Sequence, residues 1–359
     1  MIFKRFVVKY YFIIALFTTC NTQTDKNNPE YSDDLGPVKP LNTFELVKNS
    51  DFDQLFQLRD SIHLASDSAA LINKPWTVRI YKDKFIISDL LGSRTIKVFT
   101  NSGHYSGQIG NNGSGPGEYK SAELLEIIND ELFVYDPSLN RVSVFDLNSH
   151  RYLRNWKTDK FYASSTSVDN KLVFLCKYGY GYENDFDVWD INGNKISSKK
   201  FAKSRGEQKR IHMFGGSFQL TSIHDNILYC GADEFRIICY DINKEKHLWI
   251  SNTFPSELKV PAELPINVRE LGIKWMLQNY SSLKYLLTLD DRLILLFADK
   301  YILLYDDGGN YLGILINPYP NGFFTTYGKQ LMVFKDGVKG KDENLSNPII
   351  LIYELIEKT

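Results

Sequence analysis

The stretch most informative about the fold reads Leu132-Phe133-Val134-Tyr135, then a polar turn, then Val142-Ser143-Val144-Phe145-Asp146. Two short runs of β-branched and aromatic residues on either side of a polar turn are typical of a β-hairpin. The second run ends in an aromatic residue that is followed by an acidic one. This pattern defines a repeat unit for which the rest of the chain can be searched.

The same unit, with an acidic or polar residue after the aromatic one, occurs six times along the chain. Its aromatic residue comes at positions 99, 145, 189, 240, 305 and 353, and each time a partner strand precedes it. Strand-rich repeats about 50 residues long are typical of β-propellers, whose blades bury their faces by stacking on one another in a closed ring. A β-sandwich is the competing all-β architecture, but six similar units favour the propeller. The sequence therefore predicts an all-β, six-bladed β-propeller over residues 39–359.

The ends and the centre of the ring can also be predicted. Residues 44–47 and 52–64 are expected to form strands that complete the last blade beside residues 349–355, so that the two ends of the ring are held together. Residues 265–278 are the best candidate for a helix, inserted in the longest repeat. The innermost strand of each blade should line the channel, and the clearest examples are residues 76–80, 122–127 and 218–223.

The first twenty residues have the character of an export signal. Lys4, Arg5 and Lys9 form a basic start, and the apolar stretch 10–17 is shorter than the about 20 residues that span a bilayer. The following Leu16-Phe17-Thr18-Thr19-Cys20 resembles a bacterial lipobox, whose cysteine is acylated. An ordinary cleaved signal with an incidental cysteine is the alternative. We expect a signal peptide at 1–19 and a lipidated Cys20 with a flexible tether at 20–38.

Composition and charge disfavour several classes of function. The chain has 42 Lys plus Arg and 43 Asp plus Glu, so its formal net charge is -1, and it lacks the basic excess that nucleic-acid binding requires. After Cys20, three cysteines remain, which implies no disulfide framework and leaves open whether Cys230 and Cys239 pair. The six histidines show no metal-ligand spacing. We therefore predict no metal, no cofactor and no nucleic-acid partner.

A glycine-rich stretch carries a resemblance to a known family. Residues 107–119 read Gly-Gln-Ile-Gly-Asn-Asn-Gly-Ser-Gly-Pro-Gly-Glu-Tyr, which resembles the inter-blade signature of the six-bladed propeller lipoproteins of Bacteroidetes, relatives of NHL-like and TolB-like propellers. Asp60-Ser61-Ile62-His63-Leu64 and Ile86-Ile87-Ser88-Asp89 extend the resemblance. It implies the propeller fold, a lipid anchor and an address in the cell envelope, and it implies no settled activity.

A few residues stand out as candidates for ligand binding. Glu118 could contact a ligand at the channel mouth, although its loop also suits a purely structural connection between blades. Tyr178, Tyr180 and Tyr182 alternate with glycines and could stack on a sugar or peptide, the alternative being a packed hairpin loop. Trp76 begins an inner strand. No catalytic residue can be singled out, because neither a nucleophile motif nor a distinct carboxylate pair is present.

Three functional hypotheses follow. The leading one is a binding or scaffold protein that a lipid anchor holds at the outer membrane, facing the periplasm or the cell surface, with a glycan, a peptide or an envelope protein as partner. The second is a hydrolase or lyase that acts on carbohydrates or lactones in the channel. The third is an accessory subunit of an outer-membrane complex, which predicts a sizeable exposed aromatic patch. Convergent acidic or basic groups at the channel mouth would favour an enzyme, and a lining of apolar and hydroxyl side chains would favour binding.

Overall fold

Short strands make up almost all of the regular structure. The computed structural model describes residues 38–39, 47–177, 182–200, 219–231, 235–251, 255–259, 278–279, 281–335 and 346–356. Before the first blade, the chain forms β1 (Val38–Lys39), β2 (Val47–Ser50), one turn of helix α1 (Phe52–Leu55) and β3 (Phe56–His63). The predicted helix at 265–278 falls almost entirely outside the described residues.

The first three blades follow in chain order. Blade 1 consists of β4 (Thr77–Tyr81), β5 (Lys84–Ser88), β6 (Ile96–Thr100) and β7 (Tyr105–Ile109). A short parallel ribbon then joins β8 (Asn111–Asn112) and β9 (Glu118–Tyr119). Blade 2 consists of β10 (Leu124–Ile128), β11 (Glu131–Asp136), β12 (Arg141–Asp146) and β13 (Tyr152–Lys157). Blade 3 consists of β14 (Tyr162–Val168), β15 (Lys171–Cys176), β16 (Phe186–Asp190) and β17 (Lys195–Lys199).

The other three blades complete the ring. Blade 4 consists of β18 (Gln219–Ile223), β19 (Asn226–Cys230), β20 (Ile237–Asp241) and β21 (Lys246–Ser251). Blade 5 consists of β22 (Leu283–Leu289), β23 (Leu293–Ala298), β24 (Tyr301–Asp306) and β25 (Tyr311–Ile316). Blade 6 consists of β26 (Phe323–Tyr327), β27 (Gln330–Lys335) and β28 (Ile349–Leu355), and β3 is its outermost strand.

The predicted six-bladed β-propeller is confirmed by this architecture. The four strands of each blade are antiparallel neighbours, and the innermost strands contact one another in ring order, with β26 of blade 6 against β4 of blade 1. The described buried apolar residues form six clusters, one at each junction between neighbouring blades. The core is therefore a ring of blade-to-blade interfaces, as expected for a repeat that cannot bury its faces alone.

The N-terminal segment closes the ring, although not as predicted throughout. β3 pairs antiparallel with β28, which confirms the strand predicted within 52–64. The prediction was wrong for Phe52–Leu55, which form a helical turn because the Phe52 ring packs on Phe56 and Tyr353 with ring centroids 4.9 and 5.0 Å away. It was also wrong for Val47, which pairs with Gly313 of blade 5. β1 pairs in parallel with the outermost strand of blade 4, and β2 pairs in parallel with the outermost strand of blade 5. The chain therefore runs along the outer edges of these two blades before it reaches blade 6.

The aromatic residue that marks each repeat lies at a β-bulge. In every blade the pairing between the third and fourth strands shifts by one residue beside this buried aromatic. The extra residue lies on the outermost strand and is serine in blade 1, apolar in blades 2 to 5 and arginine in blade 6. In blade order, the six residues are Ser106, Leu153, Ile196, Leu248, Leu312 and Arg59. A bulge bends the outer strand and increases its twist, so the repeated aromatic marks the point where each blade bends.

The acidic residue after the aromatic has its own role. Asp146, Asp190, Asp241 and Asp306 each accept hydrogen bonds from backbone N–H groups of the following turn, at 2.6 to 3.0 Å. Such Asx-type bonds satisfy the backbone where the chain reverses. Residues in the left-handed conformation form other hairpin turns, such as Asn129-Asp130 and Asp290-Asp291, whose φ angles lie between 49° and 64°.

The described cysteines of the blades form no disulfide. Cys230 lies opposite Ile237 and Cys239 lies opposite Leu228, so the two thiols do not face one another across the hairpin. Both are buried in the apolar cluster between blades 4 and 5. They act there as small core side chains.

Candidate ligand cavity in the channel

The innermost strands of all six blades line one central cavity of about 610 Å³. The strands predicted to line the channel supply Trp76, Glu123, Gln219 and their neighbours, which confirms their location. Residue 218 lies outside the described part of the chain. A volume of this size is within the range of about 300–1,000 Å³ found for small-molecule sites.

One wall of the cavity is rich in hydroxyl groups. In blade 3, Ser164, Ser165, Thr166 and Ser167 follow one another along β14, and blade 4 adds Thr221 and Ser222. Some of these hydroxyls hold the blades together, since the Ser164 Oγ accepts a hydrogen bond from Leu220 N at 3.2 Å. A run of Ser and Thr beside the channel offers donors and acceptors without charge.

The opposite wall combines aromatic rings with the hydroxyls of Thr325 and Thr326. Phe323 comes from blade 6, which lies across a six-bladed ring from blade 3, and Tyr285 comes from neighbouring blade 5. The Tyr285 ring packs edge-on against Phe323, with 5.7 Å between ring centroids. Trp76 continues this wall at the start of β4, and 45% of its surface is exposed. Aromatic rings and hydroxyl groups thus face each other across the cavity.

The charged groups of the wall are largely committed to one another. Arg79 of blade 1 donates to the carboxylate of Glu126 of blade 2 at 2.6 Å, and the Ser165 hydroxyl donates to the same carboxylate oxygen at 2.6 Å. Glu126 is only 4% exposed. Arg79, Glu126 and Ser165 therefore form a neutral, hydrogen-bonded link between blades 1, 2 and 3, in keeping with the rule that a buried charge needs a partner.

Glu123 is the other carboxylate among the described residues that line the cavity. Burial raises the pKa of its side chain, while a hydrogen bond from the Ser121 hydroxyl acts in the opposite direction. Its backbone carbonyl accepts a bond from the Thr77 hydroxyl at 2.6 Å, which ties blades 1 and 2 together. Glu123 directly precedes β10 of blade 2, and Trp76 directly precedes β4 of the neighbouring blade 1. Both residues therefore lie at the end of the channel where the inner strands begin.

The structure does not place all the predicted site residues at the cavity. The carboxylate of Glu118 accepts a hydrogen bond from Gly115 N at 2.7 Å within its own inter-blade loop, and Glu118 is not among the residues that line the channel. A Cβ at Gly113 would lie 2.1 Å from this carboxylate, which accounts for a glycine there. Arg141 braces the loop by donating to the carbonyl of Ser114 at 3.1 Å.

The tyrosine cluster is only partly described. The hydroxyl of Tyr182 accepts a bond from Phe161 N at 2.9 Å, and its ring packs against the cluster between blades 2 and 3. Tyr178, Tyr180 and the predicted lipidation site Cys20 lie outside the described residues. Of the predicted binding residues, Trp76 is the one that the structure places on the cavity.

Sequence reasoning missed Arg79, Glu126 and Ser165. A signal was present, because Arg79 and Glu126 each lie two residues before the last residue of their inner strand, at the same level of adjacent blades. Such pairs become evident only when the six inner strands are aligned at the hairpin turn that follows each of them.

A second polar cluster lies in blade 3, away from the residues that line the cavity. The fully buried carboxylate of Asp187 accepts bonds from Lys160 Nζ at 2.7 Å, the Tyr162 hydroxyl at 2.8 Å and the Ser198 hydroxyl at 2.6 Å. Burial acts to raise the pKa of Asp187, but these hydrogen bonds outweigh it and hold the pKa below its usual value. Burial and the charge of Asp187 raise the pKa of the nearby Cys176 thiol to about 12.

Two further features bear on the class of protein. Within the described ranges, no group of three His, Cys, Asp or Glu side chains is arranged to hold a metal ion. No helix in the described part of the chain is long and apolar enough to cross a membrane. The fold and cavity define a closed six-bladed β-propeller with a ligand-sized channel.

Comparisons with known proteins agree with this class. A family model for six-bladed β-propellers, DUF5128, matches residues 32–261, and the chain belongs to this family. No curated protein matches the sequence. Among solved structures, the chain is similar to a Bacteroides fragilis protein whose name describes it as exported, with a TM-score of 0.64 and 15% identity over 86% of this chain and 98% of the other.

More distant structures share the propeller architecture. The WD40 repeats of RRP9 superimpose with a TM-score of 0.51 and 11% identity over 84% of this chain and all of theirs. The structure of U3-55K gives a TM-score of 0.51 and 10% identity over 82% of this chain and 98% of its own. At these identities the similarity concerns the fold alone.

Proposed function

We propose that this protein is an exported, non-enzymatic binding protein of the cell envelope, and that it holds a small neutral carbohydrate in its channel. The opposed walls of the cavity are the observation that carries this proposal. A sugar ring presents apolar C–H faces, which stack on aromatic rings, and hydroxyl groups, which pair with Ser and Thr. The walls formed by blades 3 and 4 and by blades 5, 6 and 1 offer these two surfaces.

The charges of the cavity support a neutral ligand. Arg79 and Glu126 neutralise each other at 2.6 Å, so neither is a ready partner for a charged ligand. Lys284 and Glu123 add one cation and one carboxylate to the remaining lining. A charged ligand that broke the Arg79–Glu126 pair would leave a buried charge without a partner, which is costly.

The same geometry favours binding over hydrolysis. Glycoside hydrolysis needs two carboxyl groups about 5–9.5 Å apart that are available to the substrate. Glu126 already accepts bonds from Arg79 and Ser165 and is almost completely buried. Glu123 is then the remaining carboxyl group among the described lining residues, and one carboxyl group does not make the required pair.

The proposed location rests on the N-terminus and on one relative. A lipobox-like Cys20 follows a basic and apolar leader, and the similar Bacteroides protein carries the name of an exported protein. A lipid chain at Cys20 would attach the propeller to the outer membrane through the tether before β1, with membrane affinity supplied by the buried acyl groups. We also propose that the protein is related to the NHL-like and TolB-like propeller lipoproteins.

The anchor can be tested by expressing the full chain and its Cys20→Ser variant in a bacterial host. We expect the wild-type protein to sediment with membranes and to incorporate labelled palmitate. The variant should lose the label and shift to the soluble fraction. Equal labelling of the two proteins would contradict the anchor at Cys20, and so would equal membrane retention without label.

Binding can be tested by calorimetric titration of the purified protein with a panel of neutral mono- and disaccharides. We expect at least one sugar to bind, and the Trp76→Ala and Thr221→Val variants to bind it at least tenfold more weakly, because each removes a contact from one wall. A tenfold loss corresponds to about 1.4 kcal/mol.

Leu153→Ala is the matched control for Trp76→Ala. Leu153 is an equally exposed apolar residue, 45% accessible like Trp76, but it lies on the outer strand of blade 2. Its replacement should leave sugar affinity unchanged. Equal losses in the control and the channel variants would place the site elsewhere, and binding of charged sugars alone would contradict the neutral ligand.

A further inference from the structure

The central cavity extends along the inner strands of the blades. Its lining runs from Trp76 to Ile80 in blade 1 and from Phe323 to Tyr327 in blade 6. Five consecutive residues of an extended strand span about 13 Å, since each residue advances the chain by about 3.3 Å. One pyranose ring is shorter than this span. The cavity therefore has room for more than one sugar ring along its length.

The two ends of the channel are distinguished by the hairpins of the blades. Each inner strand leads into the hairpin between the first and second strands of its blade. Hairpins of neighbouring blades contact one another: the Tyr81 hydroxyl donates to Asp130 at 2.5 Å, and Asp290 N donates to the carbonyl of Gly328 at 2.9 Å. Similar bonds join blades 2 and 3 and blades 4 and 5. The hairpins thus lie at one end of the channel, here called the hairpin end.

The described lining of the hairpin end carries no charge. The last lining residue of each blade is aliphatic, a serine or a tyrosine, and in blade order the six are Ile80, Ile127, Ser167, Ser222, Leu287 and Tyr327. The opposite end differs, because Glu123 and Lys284 are among its first lining residues. The part of a ligand that reaches the hairpin end is therefore expected to be neutral.

Aromatic and hydroxyl groups occur together at the hairpin end, as they do at the other end. Tyr327 comes from blade 6, and Ser167 comes from blade 3, which lies across the ring. Thr326 adds a hydroxyl beside Tyr327, and both Ser167 and Thr326 are half-buried. At the opposite end, Trp76 and Ser164 offer the corresponding groups. The channel thus repeats one combination of groups at two levels.

The most exposed aromatic residues of the described chain lie at the two ends of the channel. Among the described Phe, Tyr and Trp residues, Trp76 and Tyr327 are the most exposed, with 45% and 46% of their surface accessible. Both line the channel, Trp76 where the inner strands begin and Tyr327 at the hairpin end. Covering an exposed aromatic ring with an apolar surface favours binding. The positions of these two rings therefore indicate a ligand that reaches from one end to the other.

We propose that the channel binds a linear neutral oligosaccharide lengthwise, with one sugar ring on Trp76 and another on Tyr327. This proposal, which rests on the proposed function, specifies the ligand as a chain instead of a single sugar. Aromatic rings stack on the apolar faces of sugar rings, and Ser167 and Thr326 offer hydroxyl partners at the second position. Because the rings of one chain are linked, the second contact is intramolecular and increases the affinity.

The test is calorimetric titration of the purified protein with linear oligomers of glucose, mannose, galactose, xylose and N-acetylglucosamine, each from the monosaccharide to the tetrasaccharide. We expect at least one series to bind, and its tetrasaccharide to bind at least tenfold more tightly than its monosaccharide, because the chain reaches both aromatic rings. The sugars of one series share their chemistry, so the comparison isolates the length of the chain.

The Tyr327→Ala variant separates the second ring position from the first. It should weaken binding of the tetrasaccharide at least tenfold and leave the monosaccharide, which is expected at the Trp76 end, unchanged. Tyr327→Phe keeps the ring and should retain most of the affinity, whereas Trp76→Ala should weaken both sugars. Leu58→Ala is the matched control, since Leu58 is 50% exposed but lies on the outermost strand of blade 6. Its replacement should change neither affinity.

The outcomes distinguish this proposal from the proposed function. If no sugar of any length binds, the proposed function fails and the lengthwise chain fails with it. If monosaccharides bind as tightly as tetrasaccharides, or if Tyr327→Ala leaves the tetrasaccharide affinity unchanged, the lengthwise chain is contradicted while the sugar site stands. An equal loss with Leu58→Ala would also contradict it, because the effect would then not come from the channel. Unchanged monosaccharide binding shows that the Tyr327→Ala variant is folded.

Discussion

The Asp187→Ala variant should lose about 3–5 kcal/mol of the free energy of unfolding, because it leaves a buried ammonium without its partner. The side chain of Lys160 is only 13% exposed, and its Nζ lies 2.7 Å from the carboxylate of Asp187. The hydroxyls of Tyr162 and Ser198 lose the same acceptor. Urea denaturation of both proteins, extrapolated linearly to water, measures the difference.

Asp159→Ala is the control for this variant. Asp159 also pairs with a lysine of the same blade, Lys195, at 2.7 Å, but its side chain is 61% exposed. An exposed pair contributes about 0–1 kcal/mol, so the control should remain close to the wild type. Equal stabilities of Asp187→Ala and Asp159→Ala would contradict a structural role for the buried cluster.

The pH dependence gives a second, signed test of the cluster. Because the pKa of Asp187 in the folded protein lies below its ordinary value of 3.8, the ionised form stabilises the fold fully above that value. This contribution is lost as the pH falls through the folded-state pKa. The stability difference between wild type and Asp187→Ala should therefore be constant near neutral pH and shrink in acid. A difference that grows in acid would contradict the assignment.

Gly309→Ala should cost about 2–5 kcal/mol, through two effects that can be separated. Gly309 has φ +78°, a left-handed conformation that costs an L-residue about 1–2 kcal/mol. In addition, its new Cβ would lie 2.5 Å from the ring of Trp249 on blade 4, and overpacking of a filled interface costs about 1–3 kcal/mol. The turn of blade 5 is thus matched in shape to the outer strand of blade 4.

Gly328→Ala isolates the first effect. Gly328 has φ +54°, but a Cβ there would have no atom within 4 Å, so only the backbone cost of about 1–2 kcal/mol is expected. In a Trp249→Ala background, Gly309→Ala should cost no more than Gly328→Ala, which a double-mutant cycle by urea denaturation can measure. Equal costs of the two glycine substitutions in the wild type would contradict the close contact between blades 4 and 5.

The blades could be predicted because each repeat has a physical reason to keep the same residues. The aromatic at the bulge is buried, and the following aspartate binds the turn, so both constraints recur with the repeat. The path of the N-terminal segment could not be predicted in full. β1 and β2 are two and four residues long and pair parallel to outer edges, which leaves no periodic pattern to read.

The site was predictable in position but not in chemistry. Inner strands line a channel in any propeller, and Trp76 was placed there correctly. The Arg79–Glu126 pair depends on residues 47 positions apart reaching the same level of two blades. Glu118 shows the converse, since a conspicuous motif directs its carboxylate into its own loop.

The most direct test of the central claim is a crystal structure of the protein with the tightest-binding neutral sugar from the titration panel. We predict electron density for a sugar ring in the central cavity, with one face on the aromatic wall near Tyr285 and Phe323 and its hydroxyls toward Ser164 and Thr221. Density for the sugar on the outer surface, with the channel free of it, would contradict the proposal.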